Sequence, residues 1–554
     1  MIIQSIAFLI FTGLVGFFSW RATRKDNQNT STGYFLAGRS LPWIVVGCSL
    51  LLTNLSTEQL VGLNGGAFAN GMQVMAWEVW SSIAIVLMAL VFLPRYLKGG
   101  VATVSAFLER RYSKTVGTAV SVLLLLSIVT NLLPFVLYSG AIFMRKVFNI
   151  SAIFDGNEYL ALWVTVIALG VVGSVYAVFG GLKAVAFSDT FNGIGLLIGG
   201  LLIPVLGLIF LGNELGGGGG FGAGISYLME NHPERLSPIG KEDQNIPFST
   251  LFTGMLLITT YYWCTNQAIV QRTFASKSLA EGQKGVLFAA GMKLLGPLYL
   301  VLPGIIAWHM YGDSIQPDES YGALVLTVLP KPLIGFFAAV IFGAILSSFN
   351  SSLNSAATLF SIDIYKGWIK KGATDVQMVK AGKLFGIVIA VGAILIAPYI
   401  DKLKDGELFT LMKELAALYN IPLLAVVLIG IFHKRVTSKG AMSALIIGFG
   451  FWGCFGLGWG ATWGDLKFGG QVEGTQLKRF FDWEMHWLHL AAINFVLISV
   501  IMIIMAMIQP REKAYEQTYT NDVDITPWKW AKACGIIILV LIALMYWGMS
   551  FFGV

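Results

Sequence analysis

Charge is the scarcest property of this chain. Only 12% of its 554 residues are Asp, Glu, Lys or Arg, whereas 56% are hydrophobic. With a mean hydropathy of +0.74, that balance excludes a soluble protein of this length. The four cysteines, Cys48, Cys264, Cys454 and Cys534, show no paired spacing, so they read as free thiols packing as small apolar residues. Gly99-Gly100 and Gly180-Gly181 lack a phosphate-loop pattern around them and read as loop turns. No stretch alternates with the period of two that a strand requires. There is also no large polar segment to hold a kinase or an ATP-driven motor, which argues against a sensor kinase and a primary pump.

What is present is a succession of apolar runs of about 20 residues, the length that crosses a bilayer while satisfying its own backbone hydrogen bonds. Fourteen such spans can be placed, the first near 3–20 and the last near 528–552. The first has no basic segment before it and no small-residue cleavage site after it, so it is expected to be a helix and not a leader. Starting outside, the large majority of the 37 Lys and Arg, including Arg95, Arg110, Arg111, Arg272, Lys370 and Lys371, fall on cytoplasmic segments. The positive-inside rule then puts both termini outside. The net charge of +7 suits anionic lipid and gives no reason to invoke nucleic acid. Two longer external segments follow, 212–247, which reads as a mobile loop, and 460–485.

Several spans carry polar residues that lipid would penalise by several kcal/mol each. The span 41–67 is interrupted by Thr53-Asn54-Leu55-Ser56-Thr57-Glu58-Gln59, and the span 248–275 by Thr259-Thr260-Tyr261-Tyr262-Trp263-Cys264-Thr265-Asn266-Gln267. The second break comes five spans after the first. Two five-helix halves related as an inverted repeat, each opening on an unwound helix, would give that spacing, and such breaks hold ion and substrate in secondary transporters.

Glu78, between Trp77 and Trp80, reads as a substrate hydrogen-bond acceptor in preference to one half of a structural ion pair. Asp189 alone would be a helix-start carboxylate. Ser347, Asn350 and Ser351 share a helix face within a run that also includes Ser348 and Ser352. Hydroxyls there can simply bond the carbonyl one turn back, yet so many polar residues suit a monovalent ion held by hard oxygens and backbone carbonyls. Lys293 and Lys413 interrupt two more apolar runs. Lys413 and Glu414, being adjacent, cannot both point into one cavity. His486 and His489 have i, i+3 spacing without the further ligands a metal site needs.

With these residues in view, the chain resembles the sodium/solute symporter family, and within it the sodium/glucose cotransporter branch with its bacterial sugar symporters of the galactose type. The resemblance rests on Tyr34-Phe35-Leu36-Ala37-Gly38-Arg39-Ser40-Leu41-Pro42-Trp43, Asn54-Leu55-Ser56-Thr57-Glu58-Gln59, Tyr261-Tyr262-Trp263 with Asn266-Gln267, Gln271-Arg272-Thr273, Ser347-Ser348, Leu353-Asn354-Ser355 and Asp363-Ile364-Tyr365-Lys366. It implies an all-α polytopic membrane protein with a leucine-transporter type 5+5 inverted-repeat core. The first repeat would cover 41–211 and the second 248–432, with an extra N-terminal helix and loop over 1–40 and three helices over 433–554.

The resemblance also implies a co-transported sodium ion bound by the carbonyls of Leu52, Leu55 and Ala344 and the hydroxyls of Ser347 and Ser348. A second sodium, as in some relatives, would use Asp189, Ser347, Asn350 and Ser351. The positions matching sugar contacts are Asn54, Gln59, Glu78, Ser81, Thr259, Lys293 and Lys413, with Thr259 in place of Asn and Lys413 in place of Gln. Tyr262 matches an inner gate, and Leu63, Trp77 and Phe409 an outer cap. The expected function is sodium-coupled symport of a monosaccharide or sugar derivative across a bacterial inner membrane, with lipid and a small solute as the only partners. The alternative is sodium- or proton-coupled uptake of a sugar acid or another small organic solute, with Glu78 or Asp189 titrating in the proton-coupled case. No nucleophile, base or metal set converges as an enzyme would require.

Overall fold

The computed structural model describes residues 2–24, 30–403, 408–457 and 485–551. The external segment expected over 460–485 lies, apart from Met485, outside the described residues. What is described is helical, with no strand beyond the isolated bridges Leu41 to Ser276 and Ser278 to Asp524. Among the described residues eleven helices are long and apolar enough to cross a membrane, and a bent pair, Leu279–Lys293 with Pro297–Ser314, makes twelve. This is two fewer than the fourteen spans read from sequence. The shortfall is physical: the spans 41–67 and 248–275 have no unbroken counterpart, because each is split into two short helices.

Helix α1 (Ile2–Thr23) is exposed along much of its length and packs against Lys331–Leu359. The first split span consists of α2 (Trp43–Asn54) and α3 (Thr57–Asn70). Between them Leu55 has ψ 57° and Ser56 has ψ −177°, values that no helix holds. The segment α4 (Glu158–Glu214) is two helices holding two of the predicted spans, and the chain kinks between them at Gly181, whose φ of 62° is open to glycine. The second split span consists of α5 (Gly254–Cys264) and α6 (Gln267–Phe274). Helices α7 (Leu279–Lys293), α8 (Lys331–Leu359) and α9 (Leu408–Phe432) complete the surroundings of the site.

Packing brings the two breaks into the interior. Helix α2 lies against α4, α7 and α8, and α3 against α9. All residues from Val45 to Phe68 on this segment are buried. The 212–247 segment, expected to be mobile, instead carries a helix at Gly220–Glu230 and is pinned to the core. Arg235 donates to the Phe68 carbonyl at 2.9 Å and lies over the Trp308 ring at 3.5 Å, and Ile246 N–H donates to Gln73 at 3.1 Å. Arg111 and Arg272, counted above as cytoplasmic loop charges, are fully buried. Arg111 satisfies the carbonyls of Gly430, His433 and Val436 near the end of α9.

Candidate functional site

The two breaks differ in how they satisfy their own polar groups. In the second, Asn266 caps α6, its side-chain oxygen accepting from Ala268 N–H at 2.9 Å, and Thr265 donates to the Tyr261 carbonyl at 2.7 Å. That break is largely self-sufficient. In the first, Thr53 Oγ1, Asn54 Oδ1, Ser56 Oγ, Glu58 Oε2 and Gln59 Oε1 are buried without a hydrogen-bond partner. Buried polar atoms are nearly always paired, so a cluster of unpaired ones at an unwound helix is chemistry left open for a ligand.

A cavity lies beside this break. Its walls include Asn54, Gln59, Trp77, Glu78, Ser81, Thr259, Tyr262, Phe409 and Lys413, together with Ile258 and Trp263. All seven substrate positions expected from sequence therefore meet here, six in the wall and Lys293 directly behind Glu78. The space open to the centre of a water is about 20 Å³, enough for about one water, so a larger solute requires side chains to move. Ile258 had no polar signal that could have marked it in the sequence, and Trp263 was marked as part of the second break but given no role of its own.

Glu78 and Lys293 form a bidentate ion pair, with Nζ 2.6 Å from both carboxylate oxygens and both side chains 1% exposed. The preference for Glu78 as an acceptor free for substrate thus needs amendment, since both oxygens already bind an ammonium. Ser81 and Thr259 donate one turn back, to the Trp77 carbonyl at 2.6 Å and the Met255 carbonyl at 2.8 Å, which leaves their lone pairs as acceptors.

Above the cavity Trp77 and Phe409 meet edge to face at 5.4 Å, and Trp77 stacks on Trp487 at 6.3 Å. Leu63 is buried on α3 but not in the cavity wall. Trp487 was missed because it belongs to a helix outside the expected core. On the other side of Tyr262 lies a second cavity, lined among others by Asn131, Asn266, Gln267 and Asn420. The two cavities share only Ile258, Tyr262 and Lys413, so Tyr262 stands in the partition between them.

The serine run on α8 divides between both readings made of it. Ser351 and Ser352 donate to the carbonyls of Ser347 and Ser348 at 2.5 and 2.8 Å. Ser348 reaches across to the Thr53 carbonyl at 3.0 Å, placing α8 against the break. Ser347 Oγ has no hydrogen-bond partner. Leu52, Leu55 and Ala344 are all buried at this junction. The oxygen-only donor set fits a monovalent cation.

Around Asp189 the arrangement is different. Its Oδ2 accepts from Ser49 at 2.6 Å, and Ser49 in turn accepts from Arg272 Nε at 3.0 Å. Arg272 also donates to Ser351 and to the Ala268 carbonyl. Asp189 Oδ1 and both polar atoms of Asn350 remain without partners. A guanidinium thus bonds Ser351, one of the four residues expected to hold a second sodium, and reaches Asp189 only through Ser49. Sequence reading missed it by ending the hydrophobic span just beyond Arg272.

His486 and His489 have their ring nitrogens engaged by Asn245 O, Leu488 N–H, Thr253 and Ser249, which accounts for both without a metal. Another residue without an assigned role, Asp363, accepts from Thr103, Ser105 and Ser121 and ties the end of the α8 span to 103–121.

Comparison with known proteins concerns the family and the fold. The model of the sodium:solute symporter family matches residues 34–448. An uncharacterized symporter of Escherichia coli K12, YidK, is 43% identical over 551 residues, covering 100% of this chain and 92% of its own. The sodium/glucose cotransporter of Vibrio parahaemolyticus is 32% identical over 473 residues, covering 81% of this chain and 84% of its own. The solved structure of a Na+-coupled sialic acid symporter, substrate-bound and outward-open, superposes with a TM-score of 0.71 at 19% identity. That likeness covers 93% of this chain and 99% of the other and concerns the fold alone.

Proposed function

The chain belongs to the sodium:solute symporter family, and on that premise we propose that it carries a neutral sugar or polyol together with sodium by alternating access. It is a membrane transporter with a leucine-transporter type fold and not an enzyme, and sodium is the co-transported ion. The solute, the residues that hold it and the orientation with both termini outside belong to the proposal.

One observation supports the reading more than any other: the unpaired polar atoms of the first break lie between a cavity on one side and the serines of α8 on the other. In this mechanism sodium binds the carbonyls of Leu52, Leu55 and Ala344 with the hydroxyls of Ser347 and Ser348. Fixing the unwound segment orients Asn54 and Gln59 toward the cavity, so each ligand favours the conformation that binds the other. Closure of Trp77 on Phe409 seals the outside, and displacement of Tyr262 opens the way to the second cavity.

The choice of a neutral solute follows from the Glu78 to Lys293 pair. A lysine bound to a carboxylate at 2.6 Å has no net charge to offer an acidic solute, whereas ammonium, amide and hydroxyl groups around one cavity provide the donors and acceptors that several hydroxyls need. Vibrio parahaemolyticus has a relative named for glucose, in keeping with this class. The test is uptake of labelled galactose into proteoliposomes in sodium or choline buffer, with competition by glucose, myo-inositol, glucuronate and sialic acid. Sodium-dependent uptake of a neutral member is expected. Uptake driven by a pH gradient without sodium, or competition by the acids alone, would overturn the reading.

A further inference from the structure

Glu58 is the most conspicuous charge in the first break and has no role in the mechanism above. Its position is set by a close helix crossing. A Cβ built on Gly62 would stand 2.9 Å from Phe409 Cβ, so α3 and α9 touch at these two residues. One turn before Gly62 on the same face of α3 is Glu58, and one turn after Phe409 on the same face of α9 is Lys413. Both are buried, and Glu58 Oε2 has no hydrogen-bond partner.

Lys413 sits in the cavity wall with its ammonium 4.6 Å from the ring centre of Phe409, 5.4 Å from Tyr262 and 5.5 Å from Trp77. Aromatic faces hold a cation in place but do not neutralise it. Of the carboxylates nearby, Glu78 has both oxygens bound to Lys293. Glu58, one turn from the same crossing and with an oxygen left unpaired, is the carboxylate that remains to balance Lys413. Among the described residues no direct salt bridge joins Glu58 to Lys413, so any balance between the two charges acts through space.

We propose that Glu58 is a specificity-determining residue of this carrier: as counter-charge to Lys413 it makes the cavity electrically neutral and so admits polyhydroxylated solutes while rejecting their carboxylate analogues. The inference rests on the cavity being the solute site. Without Glu58 the ammonium of Lys413 becomes an uncompensated charge in a low-dielectric site, which is what an acidic solute requires and a neutral one does not.

The experiment measures inhibition of sodium-driven uptake of the best neutral substrate among galactose, glucose and myo-inositol, by its unlabelled self and by galacturonate. It compares the unsubstituted protein, Glu58→Gln, and the double variant Glu58→Gln with Lys413→Met. In Glu58→Gln the ratio of the two inhibition constants should move toward galacturonate by about tenfold or more. In the double variant, which removes both charges and is the better tolerated replacement, the ratio should return to that of the unsubstituted protein. A ratio unchanged in Glu58→Gln, or a shift that persists in the double variant, overturns the role of Glu58. If Glu58→Gln does not fold, a double variant that transports but accepts galacturonate overturns it equally. Failure of the unsubstituted protein to take up any of the three sugars would instead overturn the proposed function.

Discussion

Glu78 and Lys293, 215 positions apart in sequence, meet as a bidentate pair at 2.6 Å with neither side chain in contact with solvent. Gly296 has no room for a side chain there, since a Cβ would lie 2.9 Å from Glu78, and the Lys293 ammonium also faces the Trp263 ring at 5.4 Å. The pair therefore fixes the wall of the cavity as well as its charge.

Removing one partner leaves the other charged and buried. Glu78→Gln and Lys293→Met should each destabilise the protein by about 3–5 kcal/mol, whereas the double replacement should recover most of that loss. Transport should be lost in all three, because the donors and acceptors of the wall go with the pair. Thermal melting in detergent alongside uptake distinguishes these effects. Full uptake by the double variant would show that the pair is structural alone.

Ser348 makes a different kind of contact. Its hydroxyl donates to the Thr53 carbonyl at 3.0 Å, and its lone pairs remain available to a cation. Ser348→Ala removes one neutral hydrogen bond, a cost of about 1 kcal/mol, so folding should survive. Half-saturation by sodium should rise by tenfold or more (~1.4 kcal/mol), while uptake at low sodium falls toward background. Unchanged sodium activation would remove Ser348 from the ion site.

Arg272 bears on the number of ions. Its guanidinium, linked through Ser49 to Asp189 and directly to Ser351, already supplies the positive charge that a second sodium would bring. Sodium activation of uptake should therefore follow a Hill coefficient of about 1. Solute accumulation should be limited to the free energy of one ion, about 3.7 kcal/mol for a tenfold gradient and ~100 mV. Accumulation well beyond that limit would place a second sodium despite Arg272.

Legibility in the sequence followed the range of the interaction. The break at 53–59 was visible because seven adjacent residues carry the signal, and lipid penalises them wherever the chain goes. The division of α8 between back-bonded Ser351 and Ser352 and outward-reaching Ser348 was half visible, since spacing gives the face but not the partner. Nothing local says that Glu78 meets Lys293, because that pairing is made by a helix crossing between distant segments. The same limit misplaced Arg272: a basic residue at the end of an apolar run looks like a loop anchor, and only the packing of α6 against α2 and α8 turns it inward. The two of the fourteen spans without a long helix are the two read as broken, since each is built from a pair of short helices.

The crossing of α3 and α9 also couples the outer cap to the first break, and Gly62 is where this can be tested. A methyl group at Gly62 would meet Phe409 Cβ at 2.9 Å and Cδ2 at 3.0 Å. The ring atom could rotate away, but Cβ is bonded to the backbone of α9, so relief requires the helices to separate by a few tenths of an ångström. Overpacking of this kind costs about 1–3 kcal/mol. The cost falls on the closed state, in which Phe409 also meets Trp77 at 5.4 Å, and not on a state with the cap swung open. Gly62→Ala should therefore bias the carrier outward and lower turnover by roughly 5-fold to 150-fold. Sodium binding, read as sodium-dependent thermal stabilisation, should persist, since Ser347 and Ser348 are on a different helix. Slow turnover with retained sodium stabilisation is the signature of a cap that cannot close. Loss of both would mean that the substitution has damaged the break itself, and turnover equal to the unsubstituted protein would show that α3 and α9 do not need this contact to move.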